Sequence, residues 1–209
     1  MEERIRIPAG PLTLEGLIDQ RPGWKGVVVT HPHPLYGGDM HNNVVGAVAA
    51  SYARAGYTTL RFNFRGVGES DGVYDNGEGE KEDVRNALQA LAQRGAETIH
   101  LAGYSFGAWV NAAALDTLPE VDTAVMVSPP VDFMDFSFLG STPRIRLVVT
   151  GERDDIAGAA RVEAMLPQWN PKAVFHVIQG ADHFYGGREQ ALQSVLGRFL
   201  DSLSSPAVD

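Results

Sequence analysis

The sequence contains no cysteine among its 209 residues. Without cysteine there is no disulfide framework, no thiolate ligand for a metal ion and no cysteine nucleophile. Any covalent catalysis must therefore come from another side chain.

Long hydrophobic runs are also missing. The longest apolar run, at positions 44–50, is far shorter than the roughly 20 residues that span a bilayer. The N-terminal residues 1–4 are mostly charged and lack the apolar core and small-residue cleavage site of a signal peptide. We therefore expect a soluble, cytoplasmic protein.

Basic residues are outnumbered by acidic ones, with 17 Lys and Arg against 26 Asp and Glu, a formal net charge of −9. This balance argues against a nucleic-acid surface and against binding to anionic membranes. Hydrophobic residues make up 44% of the chain, enough for a sizeable core. We expect one domain over residues 1–209, with an N-terminal hairpin at 1–20 and a frayed tail at 204–209.

Short apolar runs alternate with helical patterns after the hairpin. The predicted strands cover 26–30, 58–62, 98–102, 123–127, 145–150 and 173–178. Apolar residues at helical spacing follow at 45–53, 84–92, 108–115 and 192–203, and Asn43 is predicted to cap the first of these helices. The alternation predicts an α/β fold, with a mostly parallel sheet of about eight strands between helices on both faces.

The pentapeptide Gly103-Tyr104-Ser105-Phe106-Gly107 lies between a predicted strand and a predicted helix. A sharp turn there would push the serine hydroxyl out of the sheet, and the start of the helix would face developing negative charge. This context favours Ser105 as a nucleophile. The backbone N–H of Phe106, just after it, is a candidate donor to an oxyanion.

A serine hydroxyl needs a base, and an acid that orients the base, to attack at neutral pH. Asp154 and Asp155 follow the strand at 145–150, and either can be the acid. His183 follows the next strand and can be the base. Because open α/β sheets bind ligands at the carboxyl ends of their strands, we expect these groups to meet Ser105 at one edge.

Segments 103–107, 151–154 and 180–183 resemble the nucleophile elbow, acid turn and histidine loop of the α/β-hydrolase superfamily. More narrowly, segments 31–38 and 61–70 resemble small, lidless, esterase-like bacterial serine hydrolases of mostly unassigned substrate. The similarity spans nearly the whole chain. It implies the α/β-hydrolase fold and Asp154 as the acid.

The resemblance also implies a second oxyanion donor. In related hydrolases the loop after the strand that corresponds to 26–30 begins His-Gly-x, and the third residue of this loop donates its N–H. Here Pro32 replaces the glycine, so the matching donor is His33. Pro34 has no N–H, which makes Leu35 the runner-up.

Aromatic residues on loops at the same predicted edge are candidates for an apolar pocket wall. They are Tyr36, Phe133, Phe136 and Tyr185. The short segment 131–142 leaves no room for a large cap domain over them. An open site of this kind predicts modest selectivity and good activity on short acyl chains.

A metal site at His31 and His33 is the weaker interpretation. The H-x-H pattern of metallo-β-lactamases requires an aspartate two residues after the second histidine, and Leu35 stands there. We expect His31 to hold the loop through structural hydrogen bonds. The metal-site interpretation predicts a metal-dependent hydrolase.

The sequence thus predicts a serine hydrolase that cleaves small carboxylic esters or thioesters through an acyl-enzyme, with no metal or cofactor. Its expected partner is a small acyl substrate, without nucleic acid or membrane. The same residues could serve a peptidase or a lactone or dienelactone hydrolase. A non-catalytic ligand-binding protein on this fold is the alternative from another class.

Overall fold

The computed structural model describes residues 1–204. Ser204 is the last residue of the C-terminal helix, and residues 205–209 of the predicted tail lie outside the described residues.

The regular elements of the described part of the chain are eight strands, five α-helices and two short 3₁₀ helices, at Pro34–Tyr36 and Leu115–Thr117. The strands are β1 (Glu3–Ala9), β2 (Leu12–Asp19), β3 (Lys25–Thr30), β4 (Thr58–Phe62), β5 (Thr98–Tyr104), β6 (Val121–Val127), β7 (Ile145–Gly151) and β8 (Val174–Ile178). The helices are α1 (Asn43–Arg54), α2 (Glu78–Ala92), α3 (Phe106–Ala114), α4 (Ala159–Trp169) and α5 (Glu189–Ser204).

The strands form one sheet in the order β1-β2-β4-β3-β5-β6-β7-β8. Strand β2 runs antiparallel to both of its neighbours, and the pairs from β4 to β8 are parallel. The predicted mostly parallel sheet is confirmed. Parallel pairing brings the carboxyl ends of β3, β5, β7 and β8 to one edge.

Helices cover both faces of the sheet, as predicted. Residues of α1 and α5 pack in one hydrophobic cluster, and residues of α2, α3 and α4 pack in the other. Strand β3 contains three consecutive valines because both of its faces are buried: Val27 and Val29 face the first cluster and Val28 faces the second.

The cap of α1 differs from the prediction. The side chain of Asn42, not Asn43, accepts hydrogen bonds from the N–H groups of Val44 and Val45. An N-cap residue must precede the helix for its side chain to reach those donors, and Asn43 is already helical. The side-chain amide of Asn43 instead donates to the Phe184 carbonyl and to Glu189.

The helical spacing of apolar residues in the sequence does not predict helix α4. Its buried residues are few, Val162, Leu166 and Trp169, so its apolar stripe is thin. Pro167, which is rare inside helices, weakens the signal further.

The segment between β6 and β7 comprises residues 128–144, so within the described chain no large cap covers the carboxyl edge of the sheet. Within residues 1–204, no helix has the length and apolar character needed to cross a bilayer.

Candidate active site

Ser105 lies in a strained turn between β5 and α3. Its backbone φ is +54°, in a region where residues other than glycine are uncommon and which costs of order 1–3 kcal/mol. The turn is held by a hydrogen bond from the Ser105 N–H to the Val127 carbonyl at 2.9 Å.

Glycines on either side of Ser105 permit close backbone approach. A Cβ atom on Gly103 would lie 2.6 Å from the Ala108 nitrogen, and one on Gly107 would lie 2.5 Å from the Thr30 hydroxyl. Side chains at these positions would separate α3 from β5 and from the end of β3. The G-x-S-x-G pattern therefore has a packing reason as well as a conformational one.

Ser105, His183 and Asp154 form a hydrogen-bonded series. The Ser105 hydroxyl oxygen is 2.9 Å from His183 Nε2. His183 Nδ1 is 2.9 Å from Asp154 Oδ1 and 3.0 Å from Oδ2. Because the carboxylate accepts from Nδ1–H, Nε2 is left free to accept the serine proton.

Asp154 is held as an ionised acceptor. Burial raises its pKa, but the hydrogen bond and charge of His183, with the Ala157 N–H, outweigh burial and leave the pKa below its usual value. Oδ1 accepts the N–H groups of Ile156 at 3.0 Å and Ala157 at 2.7 Å. Asp155, the other candidate, is exposed on the adjoining turn.

The histidine loop is tied to the nucleophile turn. The hydroxyl of Tyr104, the residue before Ser105, donates to the His183 carbonyl at 2.7 Å. Gly151 allows the loop to lie against the end of β7, where the Arg153 N–H donates to the Ala181 carbonyl at 2.8 Å. These contacts fix the imidazole relative to both of its partners.

The candidate oxyanion donors differ in whether their N–H groups already have a hydrogen-bond partner. Neither the Phe106 N–H nor the His33 N–H has a hydrogen-bond partner within residues 1–204. The Leu35 N–H, by contrast, donates to His33 Nδ1 at 3.2 Å. Leu35 is therefore the poorer candidate, because its N–H is already engaged.

His31 holds this loop from inside the protein. It is fully buried, its Nδ1 lies 2.7 Å from the Pro32 carbonyl, and its Nε2 accepts the Phe64 N–H at 3.0 Å. Burial lowers its pKa to about 4, so the ring is neutral at pH 7. Nδ1–H therefore donates to Pro32.

No group of three or more histidine, aspartate or glutamate side chains is arranged to hold a metal ion anywhere in residues 1–204. Both ring nitrogens of His31 are used by the backbone contacts given above. The loop of His31 and His33 therefore offers no metal cluster in the described chain.

A buried polar network supports the loop from below. Asn63 accepts the Met40 N–H at 2.8 Å and donates to Glu15 at 2.8 Å. The Ser70 hydroxyl accepts the Glu15 N–H at 2.9 Å and donates to the Asn63 carbonyl at 2.7 Å. The segment around Ser70 thus braces the site without reaching the cavity beside Ser105.

A cavity of about 540 Å³ opens beside Ser105. Of the four aromatic residues predicted for its wall, Tyr36 and Phe133 line it. Its other lining residues are Pro32, His33, Gly37, Gly38, Asn42, Tyr104, Ser105, Phe106, Pro130, Met134, Ile156, His183 and Phe184.

The prediction for Phe136 and Tyr185 is wrong. Phe136 is buried and packs against Trp169 with ring centroids 5.3 Å apart. Tyr185 is fully buried, and its hydroxyl is 2.8 Å from the Ser128 hydroxyl. Both loops turn these rings into the core, where they gain burial that a cavity wall would not provide.

Phe184, Met134 and Ile156 also line the cavity and are not among the wall residues predicted from the sequence. Their closeness in sequence to the candidate catalytic residues is the signal that could have found two of them, because Phe184 follows His183 and Ile156 lies two residues after Asp154.

A second cavity of about 510 Å³ lies between the N-terminal strands and α1. It shares no lining residue with the first and contains none of the candidate residues.

The fold and this arrangement of serine, histidine and aspartate at the carboxyl edge are those of the α/β hydrolases. A model of the alpha/beta hydrolase family matches residues 23–207, and the chain belongs to this family.

Similar proteins agree with this assignment. An uncharacterized protein of Rickettsia prowazekii is 37% identical over 188 residues, 85% of this chain and 79% of that protein. The structure of an alpha-beta serine hydrolase homologue from Coxiella burnetii is 37% identical, covers 95% of this chain and 97% of that one, and superposes with a TM-score of 0.87. A lidless α/β serine hydrolase from Xanthomonas campestris is 31% identical, with coverage of 100% and 97% and a TM-score of 0.86.

Proposed function

We propose that the protein is a serine hydrolase that cleaves small carboxylic esters or thioesters through an acyl-enzyme. The hydrogen-bonded series of Ser105, His183 and Asp154, with 2.9 Å at each link, carries the proposal. Three separate strand ends supply these residues, and each is oriented by further hydrogen bonds.

In the proposed mechanism the Ser105 oxygen attacks the acyl carbon while His183 Nε2 takes the hydroxyl proton. Asp154 holds the imidazole with Nδ1–H facing the carboxylate and stabilises the imidazolium that forms. His183 then returns the proton to the leaving group. A water molecule, activated by His183, releases the acid in the second half of the reaction.

The N–H groups of Phe106 and His33 are the proposed oxyanion donors. Both lie in residues that line the cavity with Ser105, and neither has a partner in the described chain. The N-terminus of α3 adds a positive dipole end at the same place. Donors of this kind lower the barrier by about 3–4 kcal/mol each in well-formed sites.

The size of the substrate follows from the open mouth of the cavity. Because residues 128–144 form no large cap, water and small acyl compounds can reach Ser105 directly. We expect modest selectivity and good activity on short, soluble acyl chains. A strong preference for long-chain lipid esters would count against this part of the proposal.

The test is a screen of p-nitrophenyl esters and of matched thioesters across acyl chain length, with Ser105→Ala as the control. The proposal expects turnover that is lost in the variant. Equal rates for the two proteins would refute the role of Ser105, and activity removed by a chelator in both would favour the metal-dependent alternative.

A further inference from the structure

Within residues 1–204, the wall of the cavity beside Ser105 is formed without acidic or basic side chains other than histidine. Its lining in the described chain contains no lysine, arginine, aspartate or glutamate. Two histidines, His33 and His183, are its titratable side chains besides the tyrosines. Burial lowers the pKa of His33, so this ring is neutral at neutral pH.

Apolar side chains continue outward from this cavity to the surface. Tyr36, Phe133 and Phe184 line the cavity and are 87%, 74% and 66% exposed. Large apolar side chains grouped at the mouth of a cavity are typical of a surface that a ligand covers. A substrate that reaches Ser105 therefore passes large apolar side chains at the mouth and meets no lysine, arginine, aspartate or glutamate among the lining residues that the structure describes.

One basic side chain is paired with a carboxylate that adjoins a residue of the mouth in the sequence. Arg161 forms an ion pair with Asp132, the residue before Phe133, at 3.2 Å. Away from the Phe106 and His33 N–H groups, a carboxylate or phosphate in the cavity would lose water without gaining a cationic partner, which is unfavourable. An uncharged ester has no such penalty.

We propose that the site accepts substrates that are uncharged on both the acyl and the leaving-group side, and that it discriminates against acyl groups or carriers with negative charge. This inference rests on the proposed function and narrows it. Half-esters of dicarboxylic acids and thioesters of polyanionic nucleotide carriers are the disfavoured classes.

The first experiment compares two esters that differ in one group. Hexanoyl p-nitrophenyl ester is neutral, and p-nitrophenyl hydrogen adipate has a carboxylate at the far end of the same six-carbon chain. We expect kcat/KM for the adipate to be lower by about 10- to 100-fold, after subtraction of the spontaneous rate. Equal values would overturn the proposal for the acyl side.

The second experiment tests the leaving-group side with two thioesters of hexanoic acid. One carries neutral N-acetylcysteamine and the other carries coenzyme A, a polyanion. We expect the neutral thioester to have the higher kcat/KM, by about tenfold or more. An equal or higher value for the coenzyme A thioester would overturn the proposal for this side.

A designed variant makes the test independent of substrate reactivity. Met134 lines the cavity, and Met134→Arg places a cation there. We expect the ratio of adipate to hexanoate kcat/KM to rise about tenfold. Val174→Arg is the matched control, because Val174 is exposed at the amino end of β8, away from the cavity, and should leave the ratio unchanged.

These outcomes separate the inference from the function it rests on. If the wild type hydrolyses no ester or thioester in a Ser105-dependent manner, the proposed function fails and the inference falls with it. If it hydrolyses the neutral and charged compounds equally well, the function stands and the inference is overturned. A Met134→Arg variant that folds but shows the wild-type ratio would also count against it.

Discussion

Replacing Asp154 with asparagine tests the hydrogen-bonded series closely, because the two side chains have nearly the same shape. Asp154 Oδ1 accepts two backbone N–H groups, from Ile156 at 3.0 Å and from Ala157 at 2.7 Å. Only the amide oxygen of asparagine can keep these bonds. Its NH₂ group must then take the place of Oδ2, 3.0 Å from His183 Nδ1, while the amide oxygen keeps the place of Oδ1, 2.9 Å from the same nitrogen.

The consequence is a change of tautomer at His183. With its proton on Nδ1, the imidazole would face the NH₂ group donor to donor beside the amide oxygen, and the carboxylate charge that favours Nδ1–H is gone. With the proton on Nε2, Nδ1 accepts from the NH₂ group, so this tautomer becomes the favoured one. Nε2 then faces the Ser105 hydroxyl as a donor and cannot take its proton. We expect kcat to fall by about 10³- to 10⁴-fold, the scale seen when a buried triad carboxylate becomes an amide.

The assay is steady-state hydrolysis of p-nitrophenyl butyrate at neutral pH, with the fold checked by near-ultraviolet circular dichroism. Asp155→Asn is the matched control, because Asp155 is exposed one residue away and should leave kcat close to that of the wild type. A folded Asp154→Asn protein with more than about a tenth of wild-type kcat would refute the reasoning. A large loss in Asp155→Asn instead would move the acid to Asp155.

Three further predictions concern the rest of the structure. Burial lowers the pKa of His31 and His100 from 6.5 to about 4, so the unfolded chain binds more protons between those values. Stability should therefore fall as the pH falls through this window, by about 2–3 kcal/mol per histidine, and urea titrations with equal unfolding free energies at neutral pH and at about pH 4.5 would contradict it. Tyr104→Phe removes the 2.7 Å hydrogen bond to the His183 carbonyl, and kcat should drop about tenfold; steady-state kinetics with an unchanged kcat would count against this positioning role. Gly46→Ala should stabilise the protein by about 0.5–1 kcal/mol, because Gly46 lies inside α1 and the added methyl group would meet no packing neighbour within 4 Å; a lower thermal midpoint would argue against this.

The positions of Ser105, Asp154 and His183 could be predicted because each follows its own strand. In a parallel sheet the carboxyl ends of strands lie at one edge, so the order of elements alone places these residues near one another. Choosing Asp154 over Asp155 needed more than strand order. In the structure that choice depends on the turn at Ile156 and Ala157, whose N–H groups hold the Asp154 carboxylate.

The direction of loop side chains could not be predicted from sequence. Phe184 and Tyr185 are adjacent, yet Phe184 is 66% exposed and Tyr185 is fully buried. Tyr185 has a φ of +57° and turns towards Ser128, which lies 57 residues earlier in the chain. Phe136 likewise depends on Trp169, on a helix that the apolar spacing does not predict. Contacts of this range are set by the folded core and leave no local pattern.

In the proposed mechanism, Ser105 is a nucleophile activated by His183. The most direct test is labelling of the folded protein with a fluorophosphonate at neutral pH, followed by peptide mass spectrometry. We expect one adduct, on Ser105, that is absent in Ser105→Ala and strongly slowed in His183→Ala. No labelling of the folded wild type, or labelling that persists in Ser105→Ala, would contradict this mechanism.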